Sequence, residues 1–578
     1  MSTPNGIRYR LDSFLLAFLL VCFSGSVFAE SFDFEHAPPL VDDATLTALS
    51  STQGNALLDV FYSANQSLPD QIPFNVNDKP VLLGRDPNKP QHYSATINFD
   101  FDGFVEEQSE RQALAGRQYE SPVFAGRDFL GSKLLQFLDP ATLRTSIERR
   151  VPIHILPGVV TGTPTPVSAA QSLMITDPAV VGDPTRTFDA CTGAGNPTGA
   201  WTFDRLITNM ANQALTGVDP ADFVENWLKT WNTPTTINGF PVPARLSGVT
   251  PVMDVQVRNT WPRLASGKLD LKRSPLRLLA IVNRLDLRTN AGYGGGTAGE
   301  GRFVFGVLRK SGSSCVALPF TVILEYGIPL RGCPAVQNFG QQWANLGGFA
   351  LGSGVYNAAL QAITDQFTAA NAAPAKPNGS AINQIRTNDI LINPWELREF
   401  NVLAASNQLA IVSPKQTPHT SFHNTAALAS YINDPIIQPQ ILLDRHVVPI
   451  AMMGGNVPNP SPQVTWQAPG IGNNTARHHF AVNTCDACHG RETATTSFLH
   501  VAPRNAGVPS VLSNFLLGTG TLASPNALFS VPDPVDSTPR LYGDLFRRQA
   551  DLNALISNAC PSGGVVGALS FSPISASD

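Results

Sequence analysis

Residues 275–288 read PLRLLAIVNRLDLR. The core of this stretch, Leu278 to Val282, is an unbroken apolar run, short enough for a strand and too short for a typical helix. Such a run, bounded by Pro275 on one side and Asn283 on the other, predicts a strand buried on both faces. Arg302 to Leu308 and Phe320 to Tyr326 carry the same β-branched and aromatic content. They predict neighbouring strands of one sheet. A helix should follow, because Tyr356, Leu360, Ile363 and Phe367 recur at i, i+4, i+7 and i+11 on one face. Ile390 to Ile411 then predicts a return to the sheet. The fold class is therefore α+β, with a mixed or antiparallel sheet and helices.

Composition sets the limits. The chain has 578 residues, of which 43% are hydrophobic and 14% charged, with 47 Pro, 46 Gly and a net charge of −5. A large core is possible, and the abundant Pro and Gly predict long irregular connections. No basic stripe of the kind that binds nucleic acid is present. At the N-terminus, Arg8 and Arg10 precede an apolar run from Phe14 to Phe23, and Val27-Phe28-Ala29 follows. This is the pattern of a secretory signal peptide over residues 1–29, with Glu30 as the expected mature start. Cys22 is preceded by Val21, a poor fit to a lipobox. The mature chain shows no transmembrane run, so a periplasmic, extracellular or cell-surface location is expected.

The remaining organisation is read from composition. Residues 30–156 form an N-terminal region of unclear fold, with strand-like Tyr93 to Phe104 and helix-like Phe129 to Arg149. Residues 157–187 read as a Pro/Thr/Gly-rich linker, 188–453 as the α+β domain and 454–474 as a second linker. Residues 475–560 form a mainly helical C-terminal region. It is expected to hold a helix in which Leu541, Leu545, Leu552 and Leu555 share a face. Residues 561–578 read as a flexible tail.

The chemistry lies in residues 485–489, Cys-Asp-Ala-Cys-His. On one helical turn Cys485, Cys488 and His489 project from the same side. Two thiols at that spacing can add to the two vinyl groups of a haem, and the adjacent imidazole can reach its iron as the proximal ligand. A zinc site needs a fourth ligand and usually a second Cys pair; His500 and Cys560 are the available residues. A redox CxxC favours a thioredoxin-like context, which the sequence does not show. A structural disulfide needs no His. The expected cofactor is covalent haem c with its iron.

For the sixth iron position, no Met follows Met453, and His500 is the first candidate. His478, His479, Met452 and Met453 are others, and an open site remains an alternative. Arg491 and Arg504 are candidates to pair haem propionates, or are plain surface arginines. Four cysteines remain outside the motif and the leader. Cys315 and Cys333 are the nearest pair, leaving Cys191 to Cys560, although three connectivities are possible. Weaker features are Asp100-Phe-Asp-Gly103, which reads as a turn and not a calcium loop, the glycine-rich residues 292–301, and His419 and His423 without an HExxH pattern.

The segment Cys485 to His489 resembles the haem attachment motif of c-type cytochromes. The missing downstream Met departs from their common pattern. Four longer stretches, LLAIVNRLDLR (278–288), GEGRFVFGV (299–307), NPWELREF (393–400) and HFAVNTCDACHGRETATTSFLHVAPR (479–504), resemble a group of large exported bacterial proteins with no established activity. The wider resemblance implies export and a shared architecture, not a reaction; the haem motif leads to the expectation of a cytochrome c-like C-terminal region and electron transfer to a periplasmic or cell-surface redox partner. The alternatives are a haem-dependent oxidase or peroxidase-like enzyme, and an extracellular binding or structural protein with a haem or disulfide staple.

Overall fold

The computed structural model describes residues 167–289, 297–311, 314–495, 498–525, 528–558 and 560, with the backbone of six strands between residues 8 and 100. Residues 1–159 with 433–443 form one compact unit, and 160–432 with 444–578 form another. In the first, strands Gln53–Phe61, Gln71–Val76, Lys79–Asp86 and Lys89–Asp100 belong to one sheet. Apart from the backbone of Arg8–Tyr9, the expected signal peptide lies outside the described residues, as do the Phe129 to Arg149 helix, the Asp102-Gly103 turn and the 561–578 tail.

The second unit is built on an eight-stranded antiparallel sheet. Its strands are β1 (Met174–Ile175), β2 (Leu276–Arg284), β3 (Glu300–Ser311), β4 (Ser314–Gly327), β5 (Ile382–Asp389), β6 (Trp395–Val402), β7 (Leu409–Val412) and β8 (Val457–Asn459). They run in sequence order from β1 to β7, and β8 pairs with the start of β6. The three strands read from sequence are β2, β3 and β4. Its helices include α1 (Phe203–Ala211), α2 (Pro220–Lys229), α3 (Cys333–Asn345), α4 (Gly354–Thr368), α5 (Asn474–Val482), α6 (Cys485–Cys488) and α7 (Asp544–Ser557). Start signals fix several of them. Thr202, Asp219 and Ser353 accept backbone N–H groups at the first turns of α1, α2 and α4, and Pro220 opens α2.

Register sorts the sheet into two unlike faces. On one, Phe303, Leu324, Ile385 and Phe400 lie opposite each other in turn across β3 to β6. Helices cover this face. Phe203 of α1 meets Phe305, Trp227 of α2 meets Phe400, and Phe367 of α4 meets Tyr326. On the other face, Arg284 lies opposite Glu300, Arg302 opposite Glu325, Glu325 opposite Gln384, and Arg386 opposite Glu399. All of these are buried. Arg302 binds Glu300 at 2.7 Å, Arg386 binds Glu399 at 2.9 Å, and Gln384 donates to Glu325 at 2.5 Å. The C-terminal segment packs over this charged face.

Several expectations need correction. Residues 454–474 are no open linker: Val457–Asn459 extends the sheet, and Val464 and Trp466 are buried. Within 157–187, β1 pairs with β2, and Val180 and Val181 join the core. Abundant Pro and Gly mark irregular backbone here, and apolar residues between them still pack it down. The 475–560 region shares one apolar core with the sheet and includes a two-stranded ladder, Phe529–Pro532 with Pro539–Tyr542. Leu541 is on that ladder and exposed; α7 starts at Asp544 and buries Leu545, Leu552 and Leu555.

The disulfides also differ from the nearest-pair reading. Cys191 bonds Cys315 and Cys333 bonds Cys560, with Cα separations of 5.8 and 5.6 Å. Cys315 lies at the start of β4 and Cys333 opens α3, so nearly the whole strand and the turn after it hold them apart. Each bonds instead to a segment packed beside it, and nearness in sequence is overridden by the strand's length.

Candidate functional site

The motif occupies α6, a single turn on the charged face of the sheet. Cys485 packs with Trp395, Leu397 and Val457. Each motif residue is held by a different segment. Cys485 N–H donates to Thr417 Oγ1 at 2.9 Å, Asn459 Nδ2 donates to the Asp486 carbonyl at 2.8 Å, and the Thr493 hydroxyl donates to the Cys488 carbonyl. Trp466 Nε1 donates to Asp486 Oδ1 at 2.9 Å. Gly490 follows because there is no room for more: a Cβ there would lie 2.7 Å from Asn459 Nδ2 and 2.8 Å from the Asp486 carbonyl.

Sequence brings Cys485, Cys488 and His489 together, and so does the fold. Cys485 and Cys488 stand outside disulfides, whereas the four described cysteines elsewhere are bonded. Cys485, Cys488 and His489 are 3%, 1% and 1% exposed. Nδ1 of His489 lies 2.8 Å from the Phe498 carbonyl. A carbonyl only accepts, so Nδ1 carries the proton and Nε2 the lone pair. The His489 ring stacks on Trp395, with centroids 5.1 Å apart and planes at 27°. Burial pushes the Cys485 thiol up to about 11, against the pull of Arg386. This is not the lowered value of a redox-active CxxC thiol.

His500 is beside the motif. Its Nε2 lies 3.6 Å from Cys488 Sγ, and its Nδ1 lies 2.8 Å from Ser513 Oγ. The His489 and His500 centroids are 4.5 Å apart. Two metal–nitrogen bonds of about 2 Å each, plus the two ring radii, exceed that separation. As placed, the two imidazoles cannot face each other across an iron. Arg504 is not available to a propionate: it donates to the carbonyls of Leu278, Val181, Asn505 and Val508. Burial holds it down to about 10. Arg491 is exposed. His419 stacks on Phe240 at 4.5 Å, and its backbone N–H donates to the Met452 carbonyl.

His478 and His479 each hold a carboxylate through Nδ1, Glu492 at 2.6 Å and Asp444 at 3.1 Å. His478, Glu492 and Asp533 converge as three metal ligands would. Arg477 is already there, with Nη2 2.8 Å from both Glu492 Oε1 and Asp533 Oδ2, and Arg540 adds a second guanidinium at 2.9 Å from Asp533. Burial raises both carboxyls, but Arg477 and its neighbours outweigh it, so Glu492 is lowered and Asp533 falls to about 2. Burial pushes His478 down to about 4. The two arginines supply the positive charge that a cation would, so this is an ion-pair clamp between α5, the turn after the motif and the C-terminal ladder.

The sequence reading missed Trp395, Thr417, Asn459 and Trp466. NPWELREF pointed at the first, but nothing in its spacing tied it to residue 489. A cavity lined by Trp201, Phe203 and Phe305, on the helix-covered side, holds about 10 Å³, no more than one water. Among the described residues no helix is long and apolar enough to cross a membrane. No protein-family model, curated protein or solved structure matches the chain.

Proposed function

We propose that the chain is an exported mono-haem c-type cytochrome that passes electrons to or from a periplasmic or cell-surface partner. The observation that carries this reading is the state of the motif. Its two thiols are kept out of disulfides on one turn, and its imidazole is fixed by a carbonyl so that Nε2 holds the lone pair. A metal-binding histidine commonly has its other nitrogen fixed in this way. The donor chemistry fits a covalent haem. The packing is closed around the motif, with Cys485, Cys488 and His489 3%, 1% and 1% exposed. The two disulfides agree with an oxidising compartment.

When bound, haem supplies a one-electron couple. The chain supplies the rest. Cys485 and Cys488 would provide the attachment points and His489 an iron-binding nitrogen, its ring oriented by the Phe498 carbonyl and the Trp395 ring. The high position of the Cys485 thiol counts against a dithiol oxidoreductase.

The test is expression with a haem-attachment system, followed by a denaturing gel with haem stain and a pyridine haemochrome spectrum. One haem retained after denaturation, lost in Cys485→Ser with Cys488→Ser, is expected. A wild-type protein with no covalent haem, or with Cys485 bonded to Cys488, overturns the reading.

A further inference from the structure

We propose that Lys376, Asn383 and Glu300 form a self-modification site, at which the folded chain makes an isopeptide bond from Lys376 Nζ to Asn383 Cγ with Glu300 as the proton carrier. The proposal is independent of the haem reading.

Three observations lead to it. First, an amine, a carboxamide and a carboxylate touch in series. Lys376 Nζ lies 3.1 Å from Asn383 Oδ1, one bond from the carbon it would attack. Asn383 Nδ2, the leaving nitrogen, donates to Glu300 Oε1 at 3.1 Å. Second, each group is held in place. Lys376 lies in the loop between α4 and β5, where its N–H donates to the Ala373 carbonyl and its carbonyl accepts from Gly379. Asn212, just after α1, pins that loop through the carbonyls of Ala370 and Asn378. Asn383 is on β5, and its carboxamide lies against Gly327 of β4. A Cβ there would be 2.6 Å from Oδ1 and 3.0 Å from Cγ, so only glycine leaves it room. Glu300 opens β3 opposite Gly327, and Arg302 holds it at 2.7 Å.

Third, the protonation states suit the reaction. Burial pushes Lys376 down to about 8, helped by Lys415 and opposed by Glu300. A desolvated lysine of this kind is an activated nucleophile. A neutral amine has two hydrogens and one lone pair. The carbonyls of Ala381 and Ile382, at 3.2 and 2.6 Å, take the hydrogens, which leaves the lone pair for Asn383. Burial raises Glu300, but Arg302 and Lys415 outweigh it, so its carboxylate is ionised and accepts a proton.

The step balances without an oxidant or a second substrate. Nζ adds to Cγ, a proton passes from Nζ to Glu300 and on to Nδ2, the Cγ–Nδ2 bond breaks, and ammonia leaves. Glu300 ends as it began. Contact within the fold replaces a collision between the two groups. The product closes residues 376–383 into a covalent ring at the start of β5. Lys415 meets a second carboxamide, Gln384 Oε1, at 2.8 Å. There the leaving nitrogen is shared between Glu300 and Glu325, which retains it.

The test uses the full chain, denatured and reduced, with its cysteines alkylated and its free amines methylated before cleavage at arginine. Lys376 is the sole lysine of peptide 332–386, and Lys415 that of 399–445. Expected in the wild type is a 332–386 peptide lighter by one ammonia and unmethylated at Lys376, with Lys415 fully methylated. Asn383→Ala should restore methylation of Lys376 and abolish the ammonia loss. Glu300→Gln should reduce the crosslinked fraction at least about tenfold. A wild-type peptide of full mass with Lys376 methylated identifies a plain ammonium clamp and overturns the proposal. So does loss of ammonia with Lys376 methylated, which marks a succinimide at Asn378-Gly379. Unchanged crosslinking in Glu300→Gln overturns the carrier assigned here. The wild-type result decides the bond itself even if Glu300→Gln does not fold.

Discussion

The two faces of the eight-stranded sheet solve the burial problem in opposite ways. The helix-covered face is closed mainly by aromatic contacts, with Phe400 against Trp227 and Trp231 at 5.8 and 4.9 Å, and carries one ion pair beside them, Arg398–Glu396. Such packing is non-directional and tolerates exchange of similar shapes. The motif-bearing face is closed by pairs such as Arg302–Glu300 and Arg386–Glu399, in which every oxygen and nitrogen needs a partner at a set angle. A buried ion pair adds little net stability, but losing one member is severe. The difference teaches where this molecule needs adhesion and where it needs a fixed arrangement: the motif sits on the face whose register cannot drift.

The first way to break that contrast is one substitution on each face. Arg386→Ala leaves Glu399 without its guanidinium and Glu325 with Arg302 alone, and should cost about 3–5 kcal/mol in urea unfolding. Phe400→Leu, equally buried, should cost less than about 1.5 kcal/mol. Equal costs would show that the two faces are not different in kind.

The next effect is pH-dependent and belongs to Asp486. Burial pushes this carboxyl up to about 7, against the Trp466 hydrogen bond. A carboxyl raised on folding takes up a proton that the unfolded chain has released. Its penalty is absent below the ordinary value near 3.8, grows through that window and is complete above 7. Asp486→Asn should therefore stabilise the protein at pH 8, by at most about 4 kcal/mol, and change nothing at pH 3.5. Thermal unfolding at both values checks this, and a gain independent of pH would contradict it.

The smallest effect sharpens the comparison at a single methyl. Gly490→Ala places a Cβ against Asn459 and the Asp486 carbonyl, and should cost about 1–3 kcal/mol. Differential scanning calorimetry would show it. No loss would mean that the turn after the motif has slack that its contacts do not suggest.

Much of the sheet was legible in the sequence because its central strands are continuous apolar or alternating runs. LLAIV in β2 needed no tertiary information, and the Tyr356 to Phe367 helix announced itself by period. The motif was legible for a like reason: its five residues are local. What sequence could not supply is what meets across distance. Trp395 comes within ring contact of His489 through the pairing of β6 with β8, and Trp466 reaches Asp486 from a stretch dense in Pro and Gly. Those residues looked like linker because irregular backbone has no period, even when it is buried. The cysteine pairing failed on the same ground, since separation along the chain says nothing once a strand intervenes.

The covering of the charged face by the last part of the chain sets an order of events. A chain synthesised from its N-terminus delivers β2 to β7 first, while α5, α6 and α7 are still to emerge. Arg504, which ties the late segment to Leu278 and Val181, arrives after the motif. During that interval Cys485 and Cys488 are reachable, and afterwards they are sealed. Any enzyme that acts on those thiols is therefore racing the docking of the protein's own tail, and slowing that docking lengthens the time it has.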